Sequence, residues 1–273
     1  MDQKQQAAKA EVFRALHHAP HALVMANAWD AVTARLLEAE GFPAVATTSG
    51  GVAAALGFPD GEGAPWDEVV GQTARIARAI SIPLTADIER GFGDTPDAVG
   101  RSITDIIGAG AVGVNLEDSV PGPVPLRPLE DAAARIRAAR AAATAAGVPI
   151  VINARVDVFI RHHGDFDEAV RRGRAYLAAG ADSIYPITLR DAETIRRLAE
   201  ALKCPININV RAGYPTVAEL EALGVRRITT ATQLTHLALG AVRDSIRDIR
   251  AHGRFDTIDP KMPGPEMQGL WKR

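Results

Sequence analysis

The sequence predicts an α/β fold: a (β/α)8 TIM-type barrel with an extra N-terminal helix and a C-terminal arm. Three observations carry that prediction. Eight short apolar runs alternate with segments of helical periodicity along the 273 residues. Most of those runs stay apolar until a polar end, as strands do when both faces of a parallel sheet are covered. No Pro/Gly/Ser-rich linker breaks the alternation, which favours a closed barrel over an open doubly wound sheet. The chain therefore reads as one domain over 1–273, with a core about 20–250 and an arm at 251–273.

The elements follow in order. A polar, helix-prone stretch near 5–18 precedes the first strand and is placed to close the bottom of the barrel. The strand runs are ALVMANA (22–28), PAVATTS (43–49), PLTADIE (83–89), VGVNLED (112–118), PIVINAR (149–155), DSIYPIT (182–188), PININVR (205–211) and RRITTAT (226–232). Between them, segments such as DAVTARLLEAE, EDAAARIRAARAAATAAG and DAETIRRLAEALK space their apolar residues near the helical period. Several end in Gly just before the next strand, where a helix stop is expected. The tail DTIDPKMPGPEMQGLWKR is rich in Pro and Gly and reads as an extended arm placed to pack on a neighbour.

Composition narrows the function classes. With 47% apolar and 23% charged residues the chain can bury a large core. A formal net charge of −2 and a pI near 6.4 supply neither a basic stripe for nucleic acid nor a polybasic face for a membrane. No apolar run approaches the roughly 20 residues that cross a bilayer, and the N-terminus lacks a signal-peptide core, so a cytoplasmic location is expected. Cys204 is the single cysteine, which excludes an internal disulfide and reads as a buried structural thiol.

Barrels of this type carry their chemistry at the C-terminal strand ends. There the sequence places Thr48, Ser49, Gly50 and Gly51; Asp87 and Glu89; Asn115, Glu117 and Asp118; Asn153, Arg155 and Asp157; Tyr185; and Asn207, Asn209 and Arg211. Because side chains alternate along a strand, Asp87 and Glu89 are expected on one face, as are Asn115 and Glu117, and Asn153, Arg155 and Asp157. Asp87, Glu89 and Glu117 can then converge. Carboxylates without His or Cys partners suit a hard cation, Mg2+ or Mn2+; the alternative is a salt-bridged rim. Arg155 is either the ion-pair partner of those acids or a fork for a substrate carboxylate or phosphonate. In TTSGG a hydroxyl followed by glycines lets backbone N–H groups approach an anion, although glycines at such a turn also serve backbone geometry.

The segments TTSGGVAAALGFPDGE, TADIERGFGD, VNLEDS and INARVD, in this order and spacing, resemble the isocitrate lyase/phosphoenolpyruvate mutase superfamily over about residues 20–245. GRAYLAAGADSIYP and ININVRAGYPTVAELEALGVRRIT are similar to later motifs of its phosphoenolpyruvate-mutase-like branch. The resemblance implies a barrel assembled as a homodimer or homotetramer, often exchanging its last helix. It implies Mg2+ (or Mn2+) held at Asp87, Glu89 and Glu117, partly through water. It implies a small 2-oxo acid bound by the metal, by the Ser49-Gly50-Gly51 backbone and by Arg155, with Asp60 as a further active-site aspartate. Asn209 is counted with the substrate-binding group, and Asp60, Arg155 and Glu117 with the catalytic one.

The expected activity is that of a Mg2+-dependent lyase, cleaving or forming a C–C bond next to a pyruvate-like unit through a metal-stabilised enolate. Two alternatives stand beside it: a phosphonopyruvate/phosphoenolpyruvate P–C bond enzyme, and a non-catalytic 2-oxo acid binding protein. Two departures bear on the choice. Glu89 stands where the family commonly has Asp, and the loop EDSVPGPVPLRPLED lacks the acid cysteine of isocitrate and methylisocitrate lyases, so isocitrate cleavage is not expected. Of that loop, Ser119 and Arg127 could offer contacts. A Schiff-base aldolase is disfavoured because Lys4, Lys9, Lys203, Lys261 and Lys272 all lie away from the C-terminal strand ends. Trp29 and Tyr185 line the pocket or simply pack, His162-His163 reads as a solvated loop pair, and His236 is given no role.

Overall fold

The computed structural model describes residues 2–122, 126–161, 164–259 and 261–272. Among the described residues nine short strands build the barrel: β1 (Leu23–Met25), β2 (Asn27–Ala28), β3 (Val45–Thr47), β4 (Leu84–Asp87), β5 (Gly113–Glu117), β6 (Val151–Val156), β7 (Ser183–Pro186), β8 (Asn207–Asn209) and β9 (Arg227–Thr229). Every pairing is parallel. Six strands run in the order β2-β3-β4-β5-β6-β7 and three in the order β1-β9-β8. A bridge between Ile184 and Ile206 joins the two sets on one side. On the other side the first predicted strand closes the ring, its β1 half pairing with β9 and its β2 half with β3.

Helices alternate with the strands as their spacing predicts. They include α1 (Gln3–Leu16), α2 (Ala31–Ala39), α3 (Ser49–Leu56), α4 (Trp66–Ala79), α5 (Pro96–Gly108), α6 (Leu129–Ala145), α7 (Val158–Arg161), α8 (Phe166–Ala178), α9 (Ala192–Leu202), α10 (Val217–Ala222), α11 (Gln233–His252) and α12 (Gly264–Gly269). Local chemistry explains their ends. Asp191 and Thr95 accept from the first-turn amides of α9 and α5, and Pro96 starts α5 where its missing N–H costs nothing. Lys203, at φ 51, takes the left-handed stop after α9 that glycine fills elsewhere.

α1 does close the barrel bottom. Its Gln6 donates to the Ile107 and Ala111 carbonyls, at 2.7 and 3.0 Å. Phe13 enters beside Gly113, where a Cβ would stand 2.6 Å from the Phe13 ring, so only glycine admits that ring. The arm differs from expectation. It turns back through a short 3-10 helix (Asp256–Ile258) and α12, and the buried Leu270 accepts from Arg35 of α2 at 2.8 Å. The arm's end therefore packs on its own chain. Among the described residues no helix is long and apolar enough to cross a membrane.

Candidate active site

Strand ends β3 to β7 bring the predicted residues to one mouth of the barrel. Asp87 ends β4, and its carboxylate accepts from Ser49 N–H and Glu89 N–H, each at 3.3 Å. Glu89 does not lie on the strand, contrary to the alternation argument. The strand has ended, and Glu89 turns through a left-handed φ of 50, so its side chain is placed by loop contacts. It is nevertheless buried, and the charges of Asp87, Asp60 and Glu117 bear on it.

β5, β6 and β7 are in register so that Glu117, Arg155 and Tyr185 form one row. Arg155 forks onto Asp157, at 2.7 and 2.9 Å, and its third nitrogen meets Glu117 at 2.5 Å. Glu117 also accepts a short hydrogen bond from the buried Ser119. The ion-pair alternative for Arg155 is thus the geometry present. Three of its N–H donors are engaged, and an arginine has five, so two stay available to a ligand. Asp118 turns away from the mouth to accept from Tyr176 at 2.6 Å and Arg172 at 3.1 Å, and its other oxygen braces the Asp157 amide at 2.9 Å.

TTSGG is not an open loop: Ser49, Gly50 and Gly51 form the first turn of α3. Ser49 N–H is spent on Asp87, while the Gly50 and Gly51 amides meet no acceptor among the described residues and point their dipole end at the acids. A Cβ at Gly50 would come 3.1 Å from Asp60 Oδ2, which places the exposed Asp60 carboxylate over this turn. Asn209 ends β8 half-buried, with its Oδ1 taken by Thr188 N–H at 3.2 Å, and no hydrogen bond ties it to the acidic cluster.

The electrostatics are those of too many anions in too little water. Burial pushes Glu89 up to about 8, helped by the Asp87, Asp60 and Glu117 charges. Glu117 rises to about 7 through burial and Asp157, with Arg155 opposing, and burial raises Asp87 as well. For Arg155, burial works to lower the pKa, but Glu117 and Asp157 raise it on balance. A divalent cation would offset this excess, and an all-oxygen donor set fits Mg2+ or Mn2+. Among the described residues no three His, Cys, Asp or Glu side chains stand close enough to cage an ion directly. Glu117 is drawn to Arg155 and Ser119, so the residues fit a cation held partly through water.

One residue escaped sequence reasoning, and another had two readings. Arg227 is fully buried inside the barrel, donating to Asn115 Oδ1 at 3.1 Å in a chain that continues through Asn153 and Ser183. Burial lowers it to about 9, and Asp87 is among the charges that sustain it. A strand-start arginine reads as surface, and nothing in RRITTAT says otherwise. Tyr185, left open between packing and pocket, is 5% exposed, yet its hydroxyl has no hydrogen-bond partner among the described residues. Burial raises its pKa, so it remains a donor. Cys204 lies before β8 at the far end of the barrel, its thiol pushed up to about 12 by burial. Cavities of about 370 and 430 Å3 also open at that far end, and neither is lined by Asp87, Glu89 or Glu117. His162-His163 and residues 123–125 of the loop after β5 lie outside the described residues.

The family description Phosphoenolpyruvate phosphomutase matches residues 13–250. The chain belongs to that family. Within the isocitrate lyase/phosphoenolpyruvate mutase superfamily it is 33% identical over 208 residues to the 2-methylisocitrate lyase of Escherichia coli K12, covering 73% of this chain and 69% of that protein. It is 31% identical over 249 residues to the oxaloacetate decarboxylase of Chromohalobacter salexigens, covering 87% and 84% of the two chains. Among solved structures, a phosphonopyruvate hydrolase in complex with oxalate and Mg2+ superposes with a TM-score of 0.84 at 29% identity, over 96% of this chain and 94% of that one. This phosphoenolpyruvate phosphomutase family member thus has lyase, decarboxylase and hydrolase relatives.

Proposed function

We propose that this phosphoenolpyruvate phosphomutase family member is a cytoplasmic Mg2+-dependent lyase acting on a small 2-oxo acid, and that it breaks or forms the C–C bond next to the pyruvate-like unit. The observation that carries the reading is the placement of Asp87, Glu89 and Glu117 with Arg155 at one barrel mouth, beside the Gly50 and Gly51 amides that meet no acceptor among the described residues. Asp87, Glu89 and Glu117 would hold the cation, which supplies a positive charge to polarise the 2-oxo group.

The chain's own groups do the rest. The α3 amides and the two uncommitted N–H donors of Arg155 bind carboxylate oxygens of the substrate. Tyr185, a donor with no protein partner among the described residues, stands in the same row as Arg155 and hydrogen-bonds a substrate oxygen. Asp60, over the first turn of α3, is the group positioned to move a proton at the carbon where the bond changes. The relatives named for oxaloacetate and 2-methylisocitrate support a substrate carrying more than one carboxylate. The phosphonopyruvate relative keeps P–C chemistry as the second reading.

A homodimer or homotetramer belongs to the same proposal. α11 presents Leu239, Val242 and Ile246, each more than half exposed, on one face. That face suits a second copy of the chain, and light scattering should return a mass at least twice that of the protomer.

A 2-oxo dicarboxylate can satisfy both anion sites, whereas pyruvate satisfies one. In Mg2+, calorimetry should show 2-oxoglutarate binding more tightly than pyruvate. Arg155→Ala should erase most of the difference, since truncating one partner of a buried charged contact costs about 2–5 kcal/mol. Equal affinities in the parent protein would refute the two-anion reading.

A further inference from the structure

The loop carrying Asp60 and the loop carrying Glu89 are fastened together by a residue to which the reading above gives no part. We propose that Glu62 is a positioning residue that sets both carboxylates and turns a single oxygen of Glu89, Oε1, toward a divalent cation. The proposal rests on the metal reading of the site.

Glu62 is held at both its backbone and its side chain. Its N–H donates to Glu89 Oε2 at 2.8 Å, which leaves Oε1 uncommitted. Its carboxylate accepts from Phe92 N–H at 2.8 Å and from Arg90 Nη2 at 3.0 Å, while the same Arg90 nitrogen also donates to Gly61 O at 2.8 Å. The contact is therefore reciprocal: the 89–92 turn holds the Glu62 side chain, and the Glu62 backbone holds the Glu89 side chain.

The far half of this clasp is rigid. Arg135, 2% exposed, donates to the carbonyls of Arg90 and Gly93, and Ser102 Oγ donates to Gly91 O at 2.7 Å. Phe92 stacks on Trp66 with ring centres 4.6 Å apart. The near half is tied down at its two ends, where Phe58 N–H donates to Ala53 O at 2.9 Å and Ala64 is buried, and between them by the contacts of Gly61 and Glu62. Asp60 makes no side-chain hydrogen bond among the described residues, so its place over α3 is inherited from the neighbour that is anchored.

The backbone agrees. Glu62, Glu89 and Phe92 adopt φ of 61, 50 and 50, a region that favours glycine, and all three meet in this one clasp. Such conformations persist where surrounding contacts over-determine them, and they cluster where geometry serves function.

The test is Mn2+ binding by calorimetry to the full chain, with a thermal melt of each variant alongside. Glu62→Ala should weaken Mn2+ by about tenfold or more, the scale of losing a group that orients a ligand. Glu62→Gln keeps an acceptor of the right reach for Phe92 N–H and should stay within about threefold of the parent. Glu62→Asp keeps the charge but is one methylene short, and should behave like the alanine variant. If the alanine variant does not fold, the Gln and Asp variants decide between reach and charge. Mn2+ affinity unchanged in Glu62→Ala, or retained in Asp and lost in Gln, overturns the proposal. A parent protein that binds no Mn2+ overturns the metal reading itself, and the purpose assigned to the clasp falls with it.

Discussion

Glu117→Ala is expected to lose turnover by about 10^3-fold while remaining folded, the scale seen when one preorganised electrostatic group is removed from a reacting centre. Glu117 closes the strand row beside Arg155, accepts from Ser119 and lies within the field of Asp87 and Asp157. Its loss removes a candidate cation ligand and frees one side of Arg155 to swing toward Asp157 alone. The core is not asked to change. β5 buries Val114 and Leu116 on the other face of the strand, and Arg155 keeps its two-pronged contact with Asp157. Circular dichroism and a melting curve within a few degrees of the parent, with product formation near background, check this outcome. Near-parental turnover would remove Glu117 from the site.

Mg2+ should stabilise the protein far more at pH 8.5 than at pH 5.5. Burial pushes Glu89 up to about 8 and Glu117 up to about 7 when no metal is bound, against 4.5 for an ordinary glutamate. Between those limits the folded chain binds more protons than the unfolded chain. Stability therefore falls as pH rises through that window and levels off above it. A cation reverses the balance, because it prefers the ionised carboxylates and displaces their protons. The metal-free melting temperature should accordingly decline from pH 5.5 to 8.5 while the increment given by saturating Mg2+ grows. Taking the increment at each pH cancels titrating groups remote from the site. An increment independent of pH, or largest in acid, would contradict the assignment of these carboxylates to the cation.

Much of the fold was legible because apolar burial on both faces writes itself as continuous runs. The run 112–118 becomes Gly113–Glu117, and 83–89 becomes Leu84–Asp87. The overshoot at Glu89 shows the limit of alternation: residue type does not reveal where a strand stops and a left-handed turn begins. The split of the first run at Ala26 was invisible for a similar reason. It records a change of pairing partner, from β9 to β3, which depends on ring closure and not on the run itself.

The candidate site was legible as a set of residue types, and less so as contacts. Carboxylates, glycines and one arginine could be placed at strand ends, yet TTSGG could not be seen as a helix start, nor Arg155 as gripped by Asp157. Glu62 reaches partners 27 and 30 residues away, and Arg227 is buried by a barrel interior that only the closed ring creates. Such pairings are tertiary, and no local period encodes them.

The central claim is that this barrel mouth uses a cation to change the bond beside a 2-oxo group. The most direct measurement follows a panel of 2-oxo acids, oxaloacetate, 2-oxoglutarate, phosphonopyruvate and pyruvate among them, by NMR with the full chain stripped of metal by a chelator and then resupplied with Mg2+. The predicted result is cleavage of a dicarboxylate such as oxaloacetate that vanishes on stripping and returns with Mg2+. Equal turnover by the demonstrably metal-free protein, or tight Mg2+-dependent binding with no bond broken anywhere in the panel, would contradict it.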